Sequence, residues 1–76
     1  MNNVKLGEFT IRPRLNEIRK ERDITQQALS DLTGIPQGSI SRFDSNARHE
    51  SAHVYAIMSA LDITFDDLFV VELRKG

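Results

Sequence analysis

Apolar positions recur at helical spacing through most of the chain and predict a series of short helices. Leu15 and Ile18, like Ile40 and Phe43, stand three residues apart, as residues on one face of a helix do. The late segment places apolar residues at i, i+3, i+4 and i+7 from Val54, which is the pattern of a buried helical face. Five helices are predicted, beginning at Pro13, Thr25, Pro36, Ala52 and Phe65.

The second and third predicted helices are separated by a very short connection. The Thr25 hydroxyl can accept a hydrogen bond from a free amide of the first turn, so Thr25 is expected to cap the second helix. Leu29 and Leu32 are predicted to form its buried stripe. Gly34 can adopt the left-handed conformation that ends a helix, and Pro36 suits the first turn of the next. The stretch 25–45 is therefore predicted to be two helices joined by a tight turn.

The outward face of the third helix has an unusual composition. Gly38, Ser41, Arg42 and Ser45 face away from the buried pair, and Gln37 and Ser39 flank them. A merely solvated helix tends to carry Lys and Glu on this side. Arg can pair with guanine and Gln with adenine through two hydrogen bonds, and short side chains let a helix sit deep in the major groove. This face is therefore predicted to contact base edges in DNA.

The order and spacing of these residues resemble the phage-repressor helix-turn-helix family (the lambda-repressor-like or XRE group). The similarity extends from about Pro13 to Phe69. The matching residues are Leu15, Ile18, Arg19 and Arg22; Ile24, Thr25, Gln26 and Leu29; Gly34, Ile35, Ser39, Ile40, Ser41 and Arg42; and Ala60, Leu61 and Phe65 to Phe69. The resemblance implies an all-α fold, a compact five-helix lambda-repressor-like DNA-binding domain, to which short extended N- and C-terminal segments can be added.

The resemblance also implies a function and the residues that perform it. It predicts a transcriptional regulator, in the first place a repressor, that binds a pseudo-palindromic operator in double-stranded DNA as a homodimer. The third predicted helix would be the reading helix, the one that contacts the bases. Gln26 lies at a position that supports the reading helix close to the DNA backbone, and Arg48 lies in a loop that follows the phosphates. The predicted DNA-binding residues are Gln26, Gln37, Gly38, Ser39, Ser41, Arg42 and Arg48.

The two ends of the chain are less regular. Residues 1–12 are predicted to form an arm or a short strand, residues 13–69 the DNA-binding domain, and residues 70–76 a tail. The β-favouring segment Phe69 to Leu73 could pair with the N-terminal segment in a small sheet, within one chain or between two. In proteins that the chain resembles, the last helix and tail often join two subunits.

Composition and charge narrow the fold classes and functions that this sequence allows. A chain of 76 residues can bury one small core, and the absence of cysteine excludes a disulfide framework and thiolate metal ligation. No run approaches the roughly 18 apolar residues that cross a membrane, so a cytoplasmic protein is expected. The net charge is −1, but residues 1–48 carry eight Lys or Arg and six Asp or Glu, whereas residues 49–76 carry two and five. The positive charge therefore lies on the half with the predicted reading helix.

The sequence also contains features of two functions other than DNA binding. His49, Glu50 and His53 form the H-E-x-x-H pattern of zinc proteases, which needs both histidines on one helical face. The first histidine falls in a predicted loop. We therefore expect no catalytic residue, metal or cofactor, and the chain is not predicted to be an enzyme. The alternative function is an antitoxin-type interaction module that sequesters a protein partner, which the acidic C-terminal half and Val70, Val71 and Leu73 would suit.

Overall fold

The computed structural model describes residues 3–74, in which five helices and a two-stranded sheet share one core. The elements in chain order are β1 (Phe9–Pro13), α1 (Leu15–Glu21), α2 (Gln26–Thr33), α3 (Gln37–Ser41), a 3-10 turn (Phe43–Ser45), α4 (Ser51–Leu61), α5 (Phe65–Leu68) and β2 (Phe69–Leu73). The predicted arm and tail extend into residues 1–2 and 75–76, which lie outside the described residues.

The all-α fold class predicted above is wrong, because the two ends of the domain form a sheet. β1 pairs antiparallel with β2, with Phe9 opposite Leu73 and Pro13 opposite Phe69. The alternative that the ends form a small sheet within one chain is thus what the structure contains. Pro13 was expected to be the first helical residue and is instead the last residue of β1, so α1 begins two residues later.

The start of α1 is capped by a residue far away in the sequence. The Arg14 side chain makes no capping bond. Instead, the Asp44 carboxylate accepts hydrogen bonds from the backbone N–H groups of Leu15 and Asn16, both at 2.8 Å. These amides in the first turn would otherwise have no hydrogen-bond acceptor. A negative charge at the N-terminus of a helix also interacts favourably with the helix dipole. Asp44 therefore fastens α1 to the turn that follows α3.

The core is built from one or two apolar side chains of each helix, of the 3-10 turn and of β2, whereas no residue of β1 is fully buried. Leu15, Leu29, Ile57 and Leu68 are completely buried. Leu32, predicted to share the buried stripe of α2, is 64% exposed instead. The helix is only eight residues long and packs on α3 and α4 through a narrow face, which leaves Leu32 on its outer side.

The C-terminal elements begin with a well-defined cap. The Thr64 hydroxyl accepts from the Asp67 N–H, and the Asp67 carboxylate accepts from the Thr64 N–H at 3.0 Å, which is a complete capping box. The Thr64 hydroxyl also donates to the Asp67 carboxylate at 3.0 Å. The two hydrogen bonds that this carboxylate accepts, first the one from the Thr64 amide and then the one from the hydroxyl, lower the pKa of Asp67 below its usual value of 3.8. The short α5 then leads directly into β2, where Phe69 is buried.

No helix within residues 3–74 has both the length and the apolar character needed to cross a membrane.

Candidate nucleic-acid interface

The turn between α2 and α3 has the geometry that its sequence predicts. The Thr25 hydroxyl accepts from the Ala28 N–H at 3.0 Å and so caps α2. Gly34 ends the helix with φ +77°, and its N–H donates to the Ser30 carbonyl at 2.8 Å. The Ser30 hydroxyl in turn donates to the Ile35 carbonyl at 2.5 Å. These bonds hold α3 at a fixed angle to α2 without a long loop.

The reading helix is shorter than the sequence predicts. α3 ends at Ser41, and the chain then tightens into the 3-10 turn Phe43–Ser45. Ile40 and Phe43 are nevertheless both buried, with 1% and 4% of their surface exposed. The predicted inward face is therefore confirmed, although its two residues belong to different elements.

The polar face of α3 is open to solvent. Gln37, Gly38, Ser41 and Arg42 are exposed, and Ser39 is half-buried at one side. The Arg42 guanidinium lies back over Gly38: a Cβ at position 38 would be 3.2 Å from Arg42 Nη1. Glycine at position 38 thus leaves the space in which the arginine side chain rests along the helix, and the guanidinium is presented from the surface of α3.

A shallow groove next to α3 brings two of the predicted residues together. Ser39 and Arg48 line it together with Phe43 and Glu50. The rest of the lining is Asn46 and His49 of the loop after the 3-10 turn and His53 of α4. No ion pair involves Arg42 or Arg48 within the described part of the chain. The groove therefore combines a cation with several hydrogen-bonding groups beside the reading helix. The last three residues were not predicted as part of the site, although the repeated histidines of the H-E-x-x-H pattern pointed to this loop.

Gln26 stands apart from that groove. It is the first residue of α2 and is half-buried directly after the Thr25 cap. At this position the backbone amides of the first helical turn are partly unsatisfied, which favours a nearby anion. The structure thus divides the predicted residues into the surface of α3, the groove with Ser39 and Arg48, and the start of α2.

Two arginines that match the family pattern, Arg19 and Arg22, have hydrogen-bond partners within the protein. Arg19 donates to the Ile24 carbonyl at 2.7 Å and to Asn16 Oδ1 at 3.1 Å. Arg22 donates to the carbonyl of Leu61. Their guanidinium groups fasten α1 to the next turn and to the end of α4, so they hold the domain together.

The histidine pattern lacks the arrangement of a zinc protease. α4 begins at Ser51, which leaves His49 in the loop while His53 lies on the helix. His49 Nε2 is 2.7 Å from the Phe43 carbonyl, and its ring stacks on that of Phe43 with centroids 4.1 Å apart. His53 instead faces Glu50 at 3.4 Å. His49 therefore packs against the 3-10 turn that follows α3, and the two histidines are not on one helical face.

Comparison with known proteins gives one match. The family model described as the Cro/C1-type HTH DNA-binding domain matches residues 14–73, which include every element except β1. Neither the curated proteins nor the solved structures contain a match.

Proposed function

This chain belongs to the Cro/C1-type helix-turn-helix family of DNA-binding domains, and from that premise we propose that it is a transcriptional repressor. Two copies bind a pseudo-palindromic operator, each placing α3 in the major groove of one half-site. Dimeric helix-turn-helix proteins read half-sites about one helical turn apart. Binding at a promoter would then exclude the polymerase.

Within each half-site, the exposed surface of α3 contacts the bases. Arg42 and Gln37 have the side chains that discriminate guanine and adenine, and Ser41 can donate to or accept from either. Gly38 adds no side chain, so the helix backbone can approach the floor of the groove. The observation that carries this assignment is the burial of Ile40 and Phe43, because it leaves the opposite, polar side of α3 uncovered.

The DNA backbone is held on both sides of α3. Arg48 and Ser39 line one groove, where a phosphate can receive a charged and a neutral hydrogen bond. Gln26 and the first amides of α2 contact a second phosphate. With few cations committed to the duplex, the salt dependence of binding should be shallow, because its slope follows the number of phosphates neutralised.

In-vitro selection from random double-stranded DNA at fixed salt tests this function. An enriched sequence with two-fold symmetry is expected. Arg42→Ala should weaken binding to that sequence by about 1–3 kcal/mol, which is roughly 5- to 150-fold, and should relax one base position. Arg12→Ala is the matched control, since Arg12 is an exposed arginine on β1, outside the groups assigned to DNA.

Three results would contradict the proposal. If the selection enriches no sequence, the chain does not bind DNA sequence-specifically and the regulator proposal fails. If the Arg42→Ala protein binds the selected sequence and random DNA each with the same affinity as the parent protein, Arg42 is not a reader. Stoichiometric capture of another protein without any DNA affinity would favour the antitoxin-type module instead.

A further inference from the structure

A cleft of about 710 Å³, which we call the β1–α4 cleft, is lined by β1, α4, the loop before α4 and the chain around α5. β1 contributes Ile11 and Pro13, and α4 contributes Val54, Tyr55 and Met58. Clefts that bind small molecules typically have a volume of about 300–1,000 Å³ and a mostly apolar lining. The β1–α4 cleft has both properties and is therefore a candidate ligand site.

Aromatic rings form part of its lining. Phe65 is 43% exposed, and its ring is stacked on that of Phe69 with centroids 4.5 Å apart. The His49 ring lies edge-on to Phe69 at 5.7 Å, and Tyr55, which is 74% exposed, adds a further ring. Rings attract one another in such stacked and edge-to-face arrangements. A planar aromatic ligand can therefore extend a group of rings that is already in place.

The polar groups of the cleft are uncharged. No aspartate, glutamate, lysine or arginine lines it among residues 3–74, but Asn46 and Ser51 do. Their side chains make no hydrogen bond within this part of the chain. An amide and a hydroxyl can bond to a hydroxyl or N–H group of a ligand, whereas a charged ligand would lose its hydration without meeting an opposite charge. The lining therefore favours a neutral ligand with a polar edge.

We propose that the β1–α4 cleft binds an uncharged, planar aromatic molecule with a hydroxyl or N–H group, and that this molecule is an effector that strengthens DNA binding. Eleven residues line the cleft, whereas a stable protein interface takes about 20–30 residues a side. A small molecule thus fits the cleft better than another protein does. The binding of the ligand is independent of the proposed function, and only its effect on DNA rests on that function.

The cleft shares two residues with the groove beside α3. Asn46 and His49 line both, and the groove also contains Ser39 and Arg48, which were assigned to a phosphate above. Residues 46–50 form neither helix nor strand. A ligand that packs on Asn46 and His49 orders this loop, so less conformational entropy is lost when Arg48 contacts the phosphate. DNA should in turn tighten ligand binding by the same factor, because such coupling is reciprocal.

Calorimetric titration of the full chain without DNA tests the ligand site. The probe is 2-naphthol, and 2-naphthoate presents the same rings with a charge. We expect 2-naphthol to bind at least about tenfold more tightly than 2-naphthoate. Ile11→Glu places a carboxylate in the apolar lining and should weaken 2-naphthol binding by about tenfold or more.

Leu32→Glu is the matched control. Leu32 is an exposed aliphatic residue like Ile11, but it lies on α2 and does not line the cleft, so its replacement should leave the dissociation constant of 2-naphthol nearly unchanged. Thermal melting shows whether each variant is folded. Tyr55→Ala removes an exposed ring of the cleft without adding a charge, and it should also weaken 2-naphthol binding if Ile11→Glu does not fold.

Fluorescence anisotropy with the selected operator tests the effect on DNA. Saturating 2-naphthol should lower the dissociation constant of the operator by about fivefold or more, within the usual range of coupling between two sites. In the Arg48→Ala protein, 2-naphthol should no longer change the affinity for DNA, because the loop has lost its phosphate contact.

The possible outcomes separate this inference from the proposed function. The cleft assignment is overturned if 2-naphthol does not bind, if 2-naphthoate binds as tightly, or if a folded Ile11→Glu protein binds 2-naphthol as the parent does. It is also overturned if Ile11→Glu abolishes self-association and leaves 2-naphthol binding intact, since a second copy then occupies this face. Bound 2-naphthol that leaves DNA affinity unchanged or lowers it refutes the effector role. A chain that binds 2-naphthol as expected but selects no DNA sequence keeps the ligand site and refutes the regulator.

Discussion

Replacing Asp44 by alanine should destabilise the domain more than any other change of an exposed or half-buried acidic residue within residues 3–74. Its carboxylate accepts the N–H groups of Leu15 and Asn16, each at 2.8 Å, across nearly thirty residues of sequence. Arg14 offers no side-chain cap in its place. The substitution therefore leaves two amides in the first turn of α1 without a protein acceptor.

The size of the effect follows from these two bonds. Loss of a helix cap typically costs about 0.5–2 kcal/mol, and a hydrogen bond to a charged group contributes about 1.5–3 kcal/mol. Both amides are only partly buried, so water can replace some of the loss. We expect about 2 kcal/mol for Asp44→Ala and about 1 kcal/mol for Asp44→Asn, whose amide oxygen can still accept. In a domain of this size, 2 kcal/mol lowers the melting temperature by roughly 8–16 °C.

Thermal and urea unfolding followed by circular dichroism measure this difference. Asp66→Ala is the control, because Asp66 is exposed on α5 and should change stability by less than about 0.5 kcal/mol. If Asp44→Ala melts within about 2 °C of the parent protein, well below the expected shift, water satisfies the amides equally well. The hydrogen bonds from Asp44 would then contribute nothing to stability, and the proposed link between α1 and the 3-10 turn after α3 would be refuted.

Three further changes have expected outcomes. Gly38→Ala should raise stability by about 0.5–1 kcal/mol, as in other helix interiors, yet weaken DNA binding in a gel shift because its methyl group displaces the Arg42 guanidinium. Because the folded-state pKa of Asp67 is lowered, its stabilisation is present above 3.8 and is lost as the pH falls through the lowered pKa. The melting-temperature difference between the parent protein and Asp67→Asn should therefore narrow as the pH falls below 3.8. Arg19→Lys should cost about 1 kcal/mol in urea unfolding while leaving the salt slope of DNA binding unchanged.

The features that could be predicted from sequence are those set by neighbouring residues. The Thr25 cap and the left-handed Gly34 each depend on contacts within a few positions, and both are present. The burial of Ile40 and Phe43 follows from their spacing on a turn of nearly helical pitch. Local chemistry was therefore sufficient to identify the helix-turn-helix and the face that it leaves open.

The features that could not be predicted depend on distant partners. Pro13 fits both the first turn of a helix and the end of an edge strand, and the choice is made by pairing with Phe69, far away in sequence. The role of Asp44 depends in the same way on where α1 begins. Leu32 has the correct spacing for burial, but no element within residues 3–74 covers that side of α2. Spacing alone indicates which residues share a face and does not indicate what packs against it.

A short series of bonds connects the sheet to the reading helix. β1 ends at Pro13, the Arg14 N–H donates to the Leu68 carbonyl, and α1 then begins under the Asp44 cap, next to the end of α3. No flexible linker interrupts this series within the described chain. A dimer that joins two copies at the C-terminal segment, as the resemblance implies, would therefore hold the two reading helices at one separation, and the operators selected in vitro should share a single half-site spacing. Selected sites with variable spacing would mean that the sheet does not fix the position of α3.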